Sequence, residues 1–139
     1  MKLETYLTFP GTAEAAMTFY ADVFGSEVTD LQRMGEMPGM PPMSDETAQK
    51  IGHARVMVQG RLLMASDAME EFSGPHQGFH GFNLSAQCDS VAEAEALFDK
   101  LAAGGTIVMP MDQTFWAAAF GMCRDRFGVP WMVNCDQEG

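Results

Sequence analysis

An internal repeat constrains the fold more than any other feature of the sequence. The segment at residues 12–20 is echoed by the segment at 91–99, and Gly25 and Gly104 follow the two segments at the same offset. Apolar residues recur in both segments at helical spacing, so each predicted helix has one face to bury. Two helices of the same design, one in each half, indicate a chain built from two copies of one structural unit.

Polar residues and glycines mark where the two helices begin and end. Thr12 and Ser90 stand at the predicted N-caps, and Glu93 follows Ser90 at the spacing of a capping box. Gly25 and Gly104 suit the left-handed backbone conformation that often follows a helix end. The sequence therefore predicts one helix in each half.

Strand-like runs surround each helix and give both halves the order β-α-β-β-β. These runs cover residues 3–9, 28–34, 51–58 and 61–66 in the first half, and 82–88, 106–109, 116–123 and 129–135 in the second. Gly60 and Gly128 precede the last run of each half, which makes Met64 the counterpart of Met132. The predicted fold is α+β, with two βαβββ modules: module one at about 1–67, a linker at 68–78 and module two at 79–139.

A methionine- and proline-rich segment at 35–49 interrupts the first module. Pro38, Pro41 and Pro42 oppose regular structure there, while Met37 and Met40 are apolar and adaptable. The segment fits two interpretations, a lid that touches a ligand or a dimer partner, and a surface insertion without such a role.

Charge and hydrophobicity exclude several classes of partner. The chain has 139 residues and a net charge of −11, with no basic stripe that could neutralise nucleic-acid phosphates or an anionic membrane surface. No apolar run approaches the roughly 20 residues that a bilayer crossing needs. No nucleic acid and no membrane are expected as partners, and the cytoplasm is the expected location.

The three cysteines do not form a recognisable metal or redox motif. Cys88, Cys123 and Cys135 are widely spaced and include no Cys-x-x-Cys pair. They are expected to be buried, apolar thiols in a reducing compartment.

The segment 114–131 combines aromatic residues with a charged turn. Trp116 and Phe120 precede the turn Asp125-Arg126-Phe127-Gly128, and Trp131 follows it. Because Gly128 can adopt a positive φ, the segment is predicted to be a β-hairpin with its bulky rings on one side.

These motifs together resemble those of a known superfamily. The pieces Thr-Phe-Trp-Ala at 114–117 and Phe-Gly-Val-Pro-Trp at 127–131 are similar to the PhnB-like branch of the vicinal oxygen chelate superfamily, as are Tyr-Leu-Thr-Phe at 6–9 and Leu-Met-Ala-Ser-Asp at 63–67. That superfamily contains glyoxalases, bleomycin-resistance proteins and extradiol dioxygenases, and the branch is sometimes labelled demethylubiquinone methyltransferase-like. The resemblance implies that the two modules form a cupped, glyoxalase-like mixed sheet and that the protein is a homodimer.

The resemblance also identifies where metal-using relatives hold a divalent ion. Four strand positions, which correspond to Thr5, Met64, Asn83 and Met132, carry His, Glu or Gln in those relatives. A hydroxyl, an amide and two thioethers lack the charge and basicity that such an ion requires. We therefore expect a degenerate metal site, with no metal and no cofactor.

Without a metal, the resemblance implies a cup that suits an apolar or aromatic small molecule. The candidate pocket residues are Thr5, Met64, Asn83, Trp116, Phe120, Met132 and His53. Trp131 also competes to line the cup or to fill the core beneath it. The predicted function is a PhnB-like small-molecule-binding protein without an assigned reaction. The alternatives are a metal-dependent lyase, isomerase or dioxygenase that recruits His53 or His80, and a structural protein whose cup is filled by side chains.

Overall fold

Each half of the chain forms its own β-α-β-β-β module, as the repeat predicts. The computed structural model describes residues 1–137, and the chain divides into two units, Met1–Gln77 and Gly78–Gly139. Among residues 1–137, no helix is both long and apolar enough to cross a lipid bilayer.

The first unit contains a four-stranded mixed sheet and one long helix. Its main elements are β1 (Thr5–Phe9), α1 (Ala13–Val23), β2 (Val28–Arg33), β3 (Ile51–Val58) and β4 (Arg61–Asp67). A 3₁₀ turn (Met34–Glu36) and two short helices, α2 (Asp45–Gln49) and α3 (Glu70–Ser73), complete it. The strand order is β1-β4-β3-β2, with β1 parallel to β4 and the other pairs antiparallel.

The second unit repeats this plan. Its elements are β5 (Leu84–Cys88), α4 (Val91–Ala102), β6 (Thr106–Asp112), β7 (Ala117–Arg124) and β8 (Pro130–Asp136). The strand order is β5-β8-β7-β6, and β5 is parallel to β8. The prediction of an α+β chain with two βαβββ modules is confirmed, and the glycines Gly25 and Gly104 have the expected left-handed φ values of 63° and 77°.

In each unit the helix covers one face of the sheet, which we call the helix face; the other is the far face. In the first unit, Met17 and Tyr20 of α1 are fully buried, together with Phe9, Ala54 and Val56 of the strands. Alternation along β1 and β3 therefore sends Tyr6, Thr8, His53 and Arg55 to the far face. The far face is where side chains remain available for binding.

A buried carboxylate joins three elements of the first unit. Asp67 at the end of β4 is 4% exposed and accepts hydrogen bonds from the backbone N–H of Ala13 (2.8 Å) and of Ile51 (2.9 Å). It supplies the acceptor at the start of α1 that was expected from Thr12, whose side chain makes no capping bond. In the second unit Ser90 does cap α4, accepting from the N–H of Glu93 at 3.1 Å.

Close packing in the second unit places Trp131 in the core. A Cβ at Gly121 would lie 2.9 Å from the Phe98 ring of α4, so Gly121 faces the helix, as do Cys123 and its cross-strand neighbour Trp131. The indole Nε1–H of Trp131 donates to the buried Asp125 carboxylate at 2.8 Å. The rings of the hairpin therefore do not share one side, because Trp131 and Phe120 lie on opposite faces of the sheet.

The segment 35–49 contains more regular structure than its prolines suggest. Helix α2 begins after the last proline, and Ser44 caps it by accepting from the N–H of Thr47 at 3.1 Å. The prolines oppose helix only up to Pro42, and a capping serine follows two residues later.

Candidate functional site

Polar side chains meet on the far face of the first sheet. The hydroxyl oxygen of Tyr6 lies 3.1 Å from Nδ1 of His53, and the two rings are in contact with centroids 5.7 Å apart. Arg55 Nε donates to His53 Nε2 at 3.0 Å, and the Asp30 carboxylate lies 3.4 Å from Arg55 Nε. The four side chains form one connected network, which we call the Tyr6 network.

The chemistry of arginine determines the direction of these hydrogen bonds. A guanidinium only donates, so Nε2 of His53 must accept from Arg55 and carry no proton. The neutral imidazole then carries its proton on Nδ1 and donates it to the oxygen of Tyr6. The hydroxyl proton of Tyr6 consequently points away from His53 and is available to a ligand.

A bulge in β2 brings the carboxylate to the network. Thr29 pairs with Arg55 and Gln32 with His53, so two residues of β2 face one residue of β3. Asp30 sits in this bulge with a left-handed φ of 55°, a conformation that Asp tolerates better than most residues. Gln32 Nε2 donates to Asp30 Oδ1 at 3.0 Å and helps to fix the carboxylate.

Apolar side chains surround the network. Met64 lies on the far face as the register partner of both Tyr6 and Arg55, and Met57 of β3 is exposed on the same face. Thr5 is the register partner of the buried Leu63, so it lies toward the helix face and not beside Met64. Of the pocket residues predicted in the first module, the far face brings together His53 and Met64.

The far face of the second sheet is more apolar. Phe120 pairs with Asn134 in the register of β7 and β8, and Met122 pairs with Met132. The Trp116 ring packs edge-to-face on Phe120 with centroids 5.4 Å apart. Three predicted pocket residues, Trp116, Phe120 and Met132, therefore belong to one surface, whereas Asn83 is exposed and precedes β5.

The donors at the positions of the superfamily's metal ligands do not fit a divalent ion. Met64 and Met132 offer thioether sulfur, Asn83 an exposed amide, and Thr5 a hydroxyl on the opposite face from Met64. Hard or borderline divalent ions need carboxylates or imidazoles at such positions. Within residues 1–137, no three His, Cys, Asp or Glu side chains converge in a way that could hold a metal.

The thiols of Cys88 and Cys123 are unsuited to nucleophilic chemistry. Burial and, secondarily, the nearby Asp125 carboxylate raise the pKa of the Cys123 thiol to about 11. Burial, followed by the charge of Glu93, also raises the pKa of Cys88. Because the thiolate is the reactive form, both groups stay protonated and inert near neutral pH.

Sequence reasoning did not identify the partners of His53. Tyr6 and Arg55 share its face by strand alternation, so the pattern of β1 and β3 carried a usable signal. The sequence pattern gave no such signal for Asp30, because only the bulge in β2 turns this residue toward His53. His80, the other candidate histidine, is exposed and precedes β5.

Known proteins match the chain over nearly its whole length. The family described as 3-demethylubiquinone-9 3-methyltransferase matches residues 1–134. Protein YjdN of Escherichia coli (strain K12) is 37% identical over 142 residues, which cover 96% of this chain and 95% of YjdN.

Solved structures agree with this assignment. Protein PA1353 from Pseudomonas aeruginosa is 42% identical, with a TM-score of 0.89 and 99% of each chain covered. The PhnB protein from Bacillus cereus is 28% identical, with a TM-score of 0.75 over 97% of this chain and 99% of that one. A glyoxylase/bleomycin resistance protein/dioxygenase domain from Frankia shares the fold, with a TM-score of 0.70 at 15% identity over 100% of this chain and 93% of that one. The chain therefore belongs to the family described as 3-demethylubiquinone-9 3-methyltransferase.

Proposed function

We propose that the protein binds a neutral, largely apolar or aromatic small molecule that carries a carbonyl or similar hydrogen-bond acceptor. The observation that carries this proposal is the free hydroxyl proton of Tyr6, which results from the donation of His53 Nδ1–H to the Tyr6 oxygen. Tyr6 is 47% exposed, so a ligand can reach it.

The surroundings of Tyr6 support an apolar body for this ligand. Met57 and Met64 lie on the same face, and methionine adapts its shape to different ligands. An apolar surface with a few convergent polar groups is typical of small-molecule sites.

The charges of the network support a ligand without net charge. Arg55 and Asp30 are oppositely charged and lie 3.4 Å apart, so they offset one another. The chain as a whole carries a charge of −11, which disfavours a strongly anionic ligand. This proposal assigns no methyl transfer and no metal-dependent step, because residues 1–137 contain neither a metal-ligand cluster nor a Gly-rich nucleotide loop between a strand and a helix.

The proposal is tested with two probes of similar size, only one of which carries a hydrogen-bond acceptor. Acetophenone has a carbonyl, and ethylbenzene has a similar ring and size without one. We expect the ratio of acetophenone affinity to ethylbenzene affinity to be about tenfold higher in the unmodified protein than in Tyr6→Phe, the effect of one hydrogen bond that would otherwise be unmade. Amide chemical-shift changes on ¹⁵N-labelled protein measure both affinities.

The variant Tyr6→Phe removes the hydroxyl and keeps the ring. In this variant the affinity ratio should fall about tenfold, whereas His80→Ala, at an exposed position outside the network, should leave the ratio unchanged. The same ratio in Tyr6→Phe and in the unmodified protein would contradict the proposal. Stoichiometric metal in protein purified without chelator would instead favour a metal-dependent enzyme.

We extend the proposal to a homodimer in a reducing compartment such as the cytoplasm. Strand β6 is an edge of the second sheet, and its residues Ile107, Val108 and Met109 are exposed. Exposed apolar edges favour association with another copy. The three free thiols support a reducing compartment. Light scattering should give twice the monomer mass for the unmodified protein. The substitution Val108→Lys should lower the measured mass toward that of the monomer.

A further inference from the structure

We propose that Cys88 and Cys135 form a two-coordinate site for a soft monovalent cation, Cu(I) or the chemically similar Ag(I). The two cysteines are register partners on the parallel strands β5 and β8, and both thiols are free. Register partners on neighbouring strands point to the same face of a sheet, so the two thiols are neighbours although they are far apart in the sequence. The site does not rest on the function proposed for the Tyr6 network.

The cysteine pair lies on the helix face of the second sheet. Cys135 follows Trp131 by four residues on β8, so strand alternation sends both side chains to the face that α4 covers. Ala119, the cross-strand neighbour of Cys135 on β7, is buried on the same face. The sheet itself therefore separates this site from Asn134 and the other side chains of the far face.

The spacing of the two strands matches the length of a linear sulfur–metal–sulfur unit. Neighbouring strands lie about 4.7–4.9 Å apart, and the side chains of register partners stand at about this separation. Bonds from thiolate sulfur to Zn²⁺, a d¹⁰ ion like Cu(I), are about 2.3 Å long, so two such bonds in line span about 4.6 Å. A disulfide prefers Cβ atoms that are only about 3.8 Å apart. The pair is therefore better placed to share an ion than to bond directly.

An ion can reach the pair from the edge of the sheet. Strand β5 is an edge strand on which Cys88 is half-buried, whereas Cys135 is only 5% exposed. Burial raises the pKa of the Cys88 thiol, and the charges of Glu93, Cys135 and Asp89 add to this shift. The effect of Cys135 requires that the two sulfur atoms lie close together. An arriving cation meets Cys88 first and is then bound by the more shielded Cys135.

Softness and ligand number select the ion. Thiolate sulfur prefers soft ions such as Cu(I), for which two ligands are sufficient. Zn²⁺ needs four ligands, and residues 1–137 contain no group of three His, Cys, Asp or Glu side chains that could hold a metal ion. Binding is an exchange in which the ion replaces the two thiol protons, which pass to solvent, and nothing is oxidised.

The site is tested by titration of the reduced protein with Ag(I) in the presence of excess glutathione. Glutathione offers one thiol per molecule, whereas the protein offers two at high effective concentration, so one Ag(I) per chain should stay bound. In a separate titration without glutathione, a pH indicator should report two protons released per ion, whereas methionine thioethers would release none. X-ray absorption by the Cu(I)-loaded protein should show two sulfur ligands.

Substitutions show which thiols hold the ion. Cys88→Ser should lower the Ag(I) affinity by more than about 100-fold, because even the second-shell partners of a metal account for about 10–100-fold. Cys123→Val removes a buried thiol from the neighbouring strand β7 and should leave the Ag(I) affinity unchanged, as should Tyr6→Phe. Cys88→Ser also distinguishes an ion held here from one held on a far face when metal content is measured.

Three results would overturn the proposal. These are the loss of Ag(I) to glutathione by the unmodified protein, an unchanged Ag(I) affinity in Cys88→Ser, and an absorption spectrum that shows nitrogen or oxygen ligands or more than two sulfur atoms. The competition with glutathione and the absorption spectrum use the unmodified protein, so they decide the question even if Cys88→Ser fails to fold.

Discussion

The Tyr6 hydroxyl oxygen lies 3.1 Å from Nδ1 of His53, although strand β4 separates the strands that carry the two residues. The tyrosine side chain therefore extends across the far face of β4 to reach the imidazole. Because Arg55 occupies the other ring nitrogen, this contact has a defined direction, with His53 as donor and Tyr6 as acceptor.

The tautomer of His53 is directly observable. We expect long-range ¹H–¹⁵N NMR spectra of the neutral imidazole to show protonation at Nδ1, the less common tautomer in solution. In Arg55→Leu the donor to Nε2 is lost, so the population should move toward the Nε2–H form. Arg61→Leu, at an exposed position of β4, serves as the control and should change nothing. An Nε2–H form in the unmodified protein would remove the basis for a free Tyr6 proton.

Removal of the Asp67 carboxylate should destabilise the first unit. Its two backbone hydrogen bonds are buried, and charge-assisted bonds contribute about 1.5–3 kcal/mol each. We expect Asp67→Ala to lower the free energy of unfolding by about 3 kcal/mol or more, measured by urea titration. Asp99→Ala, at an exposed position of helix α4, should change the free energy of unfolding by less than about 0.5 kcal/mol. Equal effects of the two substitutions would show that Asp67 does not join the elements it contacts.

A methyl group at Gly105 should be far more damaging than one at Gly60. A Cβ at Gly105 would lie 2.1 Å from the carbonyl oxygen of Arg124 and 2.8 Å from the carbonyl carbon of Asp125, both of them backbone atoms that cannot rotate away. At Gly60 nothing lies within 4 Å, and only the left-handed φ of 81° opposes Ala. We expect Gly105→Ala to cost about 3 kcal/mol or more and Gly60→Ala about 1 kcal/mol, by thermal or urea unfolding.

The buried thiol of Cys123 should make stability fall at high pH. Its pKa is about 11 in the folded chain against the ordinary value of 9.0, so the unfolded chain loses the proton first as pH rises. The stability that this thiol contributes is complete below its pKa in the unfolded chain. It is lost as the pH rises from that value to the pKa in the folded chain. Urea midpoints measured across this interval should decline more steeply for the unmodified protein than for Cys123→Val. If the urea midpoints of the two proteins decline in parallel, the Cys123 thiol does not contribute to the loss of stability at high pH.

The internal repeat was sufficient to predict the fold because each half combines apolar residues at helical spacing with the alternation of apolar and polar residues that is typical of strands. The third strand was predicted at 51–58 and observed at Ile51–Val58, since alternating apolar residues and a glycine turn define both of its ends. Helix α2 was not predicted, because the Ser44 cap outweighs the prolines before it. Thr12 was predicted to cap α1, but Asp67, which is distant in sequence, supplies the acceptor there. Contacts between residues far apart in sequence leave no local pattern.

The candidate sites were less predictable for the same reason. His53 could be identified by its residue type, but its partners depend on strand order and on a bulge. Trp131 and Phe120 looked alike in the sequence, and only the register of β7 and β8 shows that they lie on opposite faces. The buried Oδ1 atom of Asn134, which has no hydrogen-bond partner among residues 1–137, could not be predicted either, since it is a feature of three-dimensional packing.

The left-handed backbone at Asp30 limits how this protein can change. Only glycine, asparagine and aspartate adopt that conformation readily, and of these only aspartate carries a charge. A single substitution at position 30 can therefore keep the strand pairing while altering the charge beside Arg55. Among relatives that retain the bulge, the choice between Asp and Asn or Gly at this position would separate proteins with different ligand charge preferences.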